Sequence, residues 1–177
     1  MNFDFRRTSK KCSVTDRTLQ PGESCFSALI ERGDETVRLD FSEQAWTGPP
    51  EDCIGWWKTS IPESDKGKVY WVPRSVQLSY FEHLMQQESQ RDAAYITGLL
   101  LLQKKVLALD DSIDDASEDS ALLHLKNRKT NQTYVLTVVE VAPDRLHEIQ
   151  QELSERLFSD QPCEVDEHEQ SEETFES

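Results

Sequence analysis

Cys12 is the first residue in this chain whose chemistry calls for partners. It opens the segment Cys12-Ser13-Val14-Thr15, and further along stands Ser42-Glu43-Gln44-Ala45. With cysteine at Thr15, Ser42 and Ala45 the pattern would be C-x2-C, a spacer and C-x2-C, the ligand spacing of a zinc ribbon. A structural zinc needs four nitrogen or sulfur donors, and here one thiol remains while alanine supplies nothing. The expectation is a ribbon-like module without metal or other cofactor, its shape held by apolar contacts and hydrogen bonds.

The other reactive residues are scattered. A thiol- or metal-dependent enzyme would have to bring Cys12, Cys53 and His124 together through the fold, because a nucleophile and its base must nearly touch. His147-Glu148-Ile149-Gln150-Gln151 lacks the second histidine of H-E-x-x-H. The run Asp110-Asp111-Ser112-Ile113-Asp114-Asp115 lacks the glycine and the distal glutamate of a calcium loop. No phosphate-binding glycine loop and no nucleophile elbow occurs. No residue is therefore assigned a catalytic role. What remains is a concentration of indoles: Trp46, Trp56, Trp57 and Trp71 fall within one stretch. Tryptophan is enriched at interaction hot spots, so the four form a candidate interaction surface. Core packing would account for them equally well.

The elements that would position these residues give an α+β chain. Pro21-Gly22 marks a type II turn. Cys25–Ile30 and Thr36–Phe41 form a hairpin closed at Gly33-Asp34, with Val37, Leu39 and Phe41 on a buried face and Arg38 and Asp40 on a wet one. Short extended segments follow around Cys53–Lys58 and Val69–Val72. From Pro73 the apolar spacing turns helical, over a first helix with Val76, Tyr80 and Leu84 and a second from about Gln90 to Leu109. A second hairpin pairs Ala121–Leu125 with Tyr134–Val139, and Pro143 opens a last helix with Leu146, Ile149, Leu153 and Leu157 in one stripe. This divides the chain into a degenerate zinc-ribbon-like, Trp-rich β module over 1–72, a helical plus β-hairpin module over 73–158, and an acidic tail over 159–177.

Charge separates the tail from the body. The net charge is −15, and the last nineteen residues hold eight acids with no Lys or Arg. Such a segment buries too little apolar surface to offset its ordering entropy, so it is expected to be disordered. A body that is still acidic argues against nucleic-acid backbones and anionic membranes as partners. The basic groups Arg6, Arg7, Lys10, Lys11 and Lys126, Arg128, Lys129 read as dispersed surface charge. No apolar run approaches the ~20 residues of a membrane span, and the N-terminus has no apolar stretch after its basic pair. A cytoplasmic location with reduced cysteines is expected.

The run Cys12, Thr15, Arg17, Leu19, Pro21, Gly22, Glu23, then Phe26-Ser27, Arg38, Asp40, Phe41, then Trp46, Gly48, Pro49, Pro50 resembles a group of uncharacterised bacterial proteins of planctomycete type. Asp16 stands where that pattern has glycine, and Cys25 precedes Phe26. The resemblance covers about a quarter of the chain and implies no activity. The favoured function is a non-enzymatic protein-interaction or adaptor module with an unknown protein partner. The alternatives are the metal- or thiol-dependent enzyme built on Cys12, Cys53 and His124, and, last, a nucleic-acid module.

Overall fold

Alternating apolar residues build a three-stranded antiparallel sheet from β1 (Ser24–Arg32), β2 (Glu35–Ser42) and β3 (Cys53–Ser60), in the order β2-β1-β3. This is a computed structural model, and it describes residues 10–63, 70–111 and 121–159. The expected α+β class holds: the sheet is followed by helices, a second small sheet and a C-terminal helix. The two-residue turn Gly33-Asp34 sets the register, so that Arg32 faces Glu35 and Phe26 faces Phe41. On the other side Ser27 faces Trp57 and Ala28 faces Trp56. A strand's side chains alternate between faces, so Phe26, Ala28, Ile30, Leu39, Phe41 and Trp56 share one face. Cys25, Ser27, Leu29, Arg38, Asp40, Ser42 and Trp57 share the other.

The face that carries Arg38 and Asp40 is not wet. The Arg38 and Asp40 side chains are only 9% and 7% exposed. Arg38 is covered because its guanidinium lies 4.8 Å from the Trp57 ring and donates to the carbonyl of Phe158 at 2.6 Å. The expectation of a solvated Arg38/Asp40 face is therefore corrected: alternation cannot distinguish a charge facing water from one facing a buried partner.

The chain forms two compact units. One holds residues 77–153; among the described residues the other holds 10–76 and 154–159. The unit boundaries fall inside α1 (Arg74–Met85) and α3 (Pro143–Leu157). In the N-terminal unit a two-residue ladder joins β4 (Tyr70–Trp71) to β8 (Phe158–Ser159), with Trp71 and Phe158 ring centroids 4.0 Å apart.

In the other unit a short 3-10 turn (Glu88–Gln90) precedes α2 (Arg91–Gln103), and β5 (Leu107–Leu109), β6 (Leu122–Asn127) and β7 (Thr133–Thr137) form a sheet in the order β5-β6-β7. The second helix ends earlier than its apolar pattern suggests. Lys105 takes a left-handed φ of 60°. Its N–H bonds the carbonyl of Leu102, and the Val106 N–H bonds that of Leu101, each at 3.0 Å. This is a Schellman stop, reached here by a lysine in the place glycine usually fills. Leu107–Leu109 then runs as strand. Gly98 lets α2 approach the sheet: a Cβ there would stand 2.5 Å from Leu136 Cδ1. Arg145 ties α3 to α2 through Asp92 at 2.7 Å.

The five-residue turn between β6 and β7 carries a left-handed Asn131, φ 59°, and Asn127 Oδ1 accepts the N–H of Lys129 at 2.9 Å. Most of the acidic loop after Asp111, the Arg6/Arg7 pair and the tail from Asp160 lie outside the described residues.

Candidate functional site

Cys12 sits at the mouth of a tight turn. Its C=O accepts the Asp16 N–H and its N–H donates to Arg17, both at 2.9 Å. The turn needs a left-handed residue, and Asp16 supplies it with φ 54°; short polar side chains tolerate that region better than most. The sulfur is 1% exposed and shares a cluster with Leu19, Cys25 and Ile61. The Ser42 N–H points at Sγ from 3.4 Å, and Ser42 Oγ lies 3.6 Å from it. Burial pushes the thiol up, but hydrogen bonds from the Thr15 hydroxyl and the N–H groups of Ser42, Thr15 and Val14 outweigh it and bring it down to about 6. Four donors thus converge on this one sulfur.

Ser42 opens a second turn of the same kind. Its carbonyl accepts the N–H groups of Ala45 and Trp46 at 3.0 Å each, and its Oγ accepts the Ala45 N–H at 3.3 Å. Ala45 packs against the cluster that contains Cys12. Cys12, Thr15, Ser42 and Ala45 are thus brought together, as their spacing implies. The residues do not fit a zinc ion, however. They offer one thiolate, two hydroxyls and a methyl group, and among the described residues no group of three or more His, Cys, Asp or Glu is placed to hold a metal.

The remaining pattern residues have structural tasks. Leu19 is core, 1% exposed. Gly22 has φ 80°, and the Glu23 N–H closes on Gln20 C=O at 3.0 Å, as the Pro21-Gly22 turn requires. The carboxylate of Glu23 pairs with Arg17 in a two-pronged ion pair and accepts the Gln20 N–H. Arg17 and that N–H together hold Glu23 down to about 2. Ser27 donates to Asp40, Arg38 reaches Ser27 Oγ at 3.2 Å, and Arg38 Nε lies 3.5 Å from Asp40. A buried Arg–Asp pair keeps its stability only when its other hydrogen bonds are satisfied; Phe158 and Ser27 accept from the two terminal nitrogens, while Nε faces Asp40 as an ion pair without a hydrogen bond.

The opposite face of the sheet is aromatic. Trp46 stacks on Phe26 with ring centroids 4.8 Å apart and planes within 5°. Trp56 lies 5.5 Å from Trp46 and 6.0 Å from Phe26, and Phe41 closes the group 5.3 Å from Trp46. Lys58 lies over the Phe26 ring and pairs with Glu43 at 3.4 Å. Trp56 is 45% exposed. Of the other indoles, Trp57 is 2% exposed beneath Arg38 and Trp71 is half-buried against Phe158. The four tryptophans therefore divide between the two faces of the sheet and the β4–β8 ladder. Phe26 and Phe41 belong to the aromatic group, and the sequence signal was available: they share strand parity with Trp56.

Comparison with protein-family models, with curated proteins and with solved structures finds no match to this chain.

Cys53 lies in the aliphatic cluster with Ala28, Ile30 and Phe41, and burial pushes its thiol up. Cys12 belongs to the cluster on the other face, so the fold does not bring these two thiols together. His124 lies on β6 in the other unit. On α3, His147 Nε2 meets Gln151 Nε2 at 3.1 Å, an amide where a zincin would carry its second imidazole. Tyr134 donates to Glu82 at 2.7 Å; burial and that carboxylate push the phenol up to about 12. The first contact lies within α3, and the second joins β7 to α1. No helix among the described residues is long and apolar enough to cross a membrane.

Proposed function

We propose that this chain is a non-enzymatic protein-interaction module that docks a partner on the aromatic face of its N-terminal sheet. The observation that carries the reading is Trp56, 45% exposed and held in a rigid group with Trp46 and Phe26. An indole left in water forgoes roughly 1.5–3 kcal/mol of burial. A pre-ordered one loses little conformational entropy on binding, which is what makes tryptophan an anchor. The partner's chemistry follows from the charges on these strands and their loops. Glu31, Asp34, Glu35, Glu43, Glu51 and Asp52 are exposed, against Arg32 and a Lys58 already paired with Glu43. An apolar segment flanked by Lys or Arg complements that surface.

The same proposal places the chain in the planctomycete-type group. The support is that Arg17, Glu23, Arg38, Asp40 and Trp46 each have a structural partner in the N-terminal unit. The thiols of Cys12 and Cys53 support a reducing, cytoplasmic setting.

The test is a photo-crosslinking residue in place of Trp56, with one in place of exposed Val135 as control, followed by binding measurements on the purified partner. One protein trapped only at position 56, and bound at least tenfold more weakly by Trp56→Ala at unchanged Tm, supports the reading. Equal binding by Trp56→Ala would refute it.

A further inference from the structure

The turns at Cys12 and Ser42 share a hydrogen-bond scheme, although the first passes through left-handed Asp16 and the second has no left-handed residue at the matching Trp46. In each, the opening residue's carbonyl accepts an N–H from further along the turn: Asp16 in the first, Ala45 and Trp46 in the second. In each, the opening residue's side-chain atom accepts the N–H of the residue three positions on, from Thr15 to sulfur and from Ala45 to oxygen. The turns are joined mouth to mouth by the Ser42 N–H on Cys12 Sγ at 3.4 Å. In a tetrahedral tetrathiolate with Zn–S bonds near 2.3 Å, neighbouring sulfurs stand ~3.8 Å apart. The Sγ–Oγ separation of Cys12 and Ser42 is 3.6 Å, already that edge of the tetrahedron.

We infer that the Cys12–Thr15 and Ser42–Ala45 turns are a complete zinc-ribbon ligand frame that stands without zinc. Cys12 is its single remaining ligand, and the hydrogen bonds to its thiolate do the cross-linking that a metal does elsewhere. The mismatch between frame and donors is confined to side chains. Thr15, Ser42 and Ala45 occupy ligand places, and the backbone that would aim three more sulfurs is present. Restoring those sulfurs therefore converts a metal-independent module into a metal-dependent one without redesign of the fold.

The experiment compares the wild-type chain with the triple variant Thr15→Cys, Ser42→Cys, Ala45→Cys, refolded with and without zinc. The variant is expected to bind one zinc per chain and, with cobalt, to give the intense visible bands of a tetrahedral thiolate site. EDTA should lower its Tm while leaving that of the wild type unchanged. A folded triple variant without stoichiometric zinc overturns the inference, as does a wild-type chain that holds stoichiometric metal. Should the triple variant fail to fold, Ser42→Cys alone decides. Its new thiol lies at one edge from Cys12, so a diamide oxidant, which takes up the two electrons and two protons released, should join the two sulfurs with loss of 2 Da. A folded single variant whose two thiols stay free under that treatment refutes the frame.

Discussion

The backbone N–H of Ser42, at the end of β2, is aimed at the sulfur of Cys12 from 3.4 Å. Together with the Ser13 N–H on the Asp40 carbonyl at 2.8 Å, it joins the turn at Cys12 to the sheet. It also gives the cysteine a task without a metal: serine or alanine would leave four donors facing a weaker acceptor or none.

Stability should therefore depend on pH through Cys12. The folded chain holds this thiol near 6, against an ordinary value of 9.0. Between those values the unfolded chain binds a proton that the folded chain does not, so stability rises with pH. The thiolate's contribution is complete above the ordinary thiol value and lost as the pH falls through about 6. Urea unfolding at pH 5.5, 7 and 8.5 should show wild type gaining on Cys12→Ala at each step. Parallel profiles would show that Cys12 is a neutral thiol.

Arg38 should be the most costly surface-looking residue to remove. Arg38→Ala leaves Asp40 buried at 6% exposure without its cation and frees the Phe158 carbonyl. Breaking such a pair typically costs about 3–5 kcal/mol. Adding Asp40→Asn to Arg38→Ala should recover part of the loss, because the uncompensated charge is gone. Denaturant midpoints of the two variants give the comparison, and a loss under about 0.5 kcal/mol for Arg38→Ala would show that water replaces the guanidinium.

In α2 the sensitive leucine is Leu101, fully buried, rather than the half-buried Leu102. Leu101→Ala should cost about 2–5 kcal/mol and Leu102→Ala clearly less. Equal losses at the two sites would mean that the helix is rotated from the orientation described.

Gly98→Ala sets two effects against each other. Alanine gains about 1 kcal/mol of helix propensity. Its methyl meets Leu136 Cδ1 at 2.5 Å, Phe81 at 3.2 Å and Leu125 at 3.3 Å, so three neighbours must give at once. Overpacking of this kind costs about 1–3 kcal/mol, and the net effect should be destabilising. A higher Tm for the variant would show that Leu136 swings clear.

Much of this was legible in the sequence because it is encoded locally. The Pro21-Gly22 turn, the Gly33-Asp34 hairpin and the helix opened by Pro143 each follow from two or three adjacent residues. The convergence of Cys12 with Ser42 was legible as a spacing. What was not legible depends on partners far along the chain. Arg38 reads as a solvent-facing charge until Phe158 is placed beside it, 120 residues later. Trp57 and Trp56 are neighbours in sequence and lie on opposite faces of the sheet, so the sequence cluster divides in space: Trp46 and Trp56 meet, and Trp57 does not join them. The end of α2 was hidden because a lysine, not a glycine, takes the left-handed stop.

The Arg38–Phe158 bond has a consequence for how the protein is made. When Arg38 leaves the ribosome, the carbonyl it will bind does not yet exist. At synthesis rates of about 5–20 residues per second the delay is roughly 6–24 s. During that interval the N-terminal sheet must stand with the guanidinium held by Ser27 and Asp40 but without the Phe158 carbonyl, and with Tyr70–Trp71 lacking its ladder partner. The first unit to begin emerging is thus completed by some of the last described residues to be made. A nascent chain stalled before Phe158 should be open to proteolysis in β1–β3, and should become resistant once Phe158 and Ser159 have emerged.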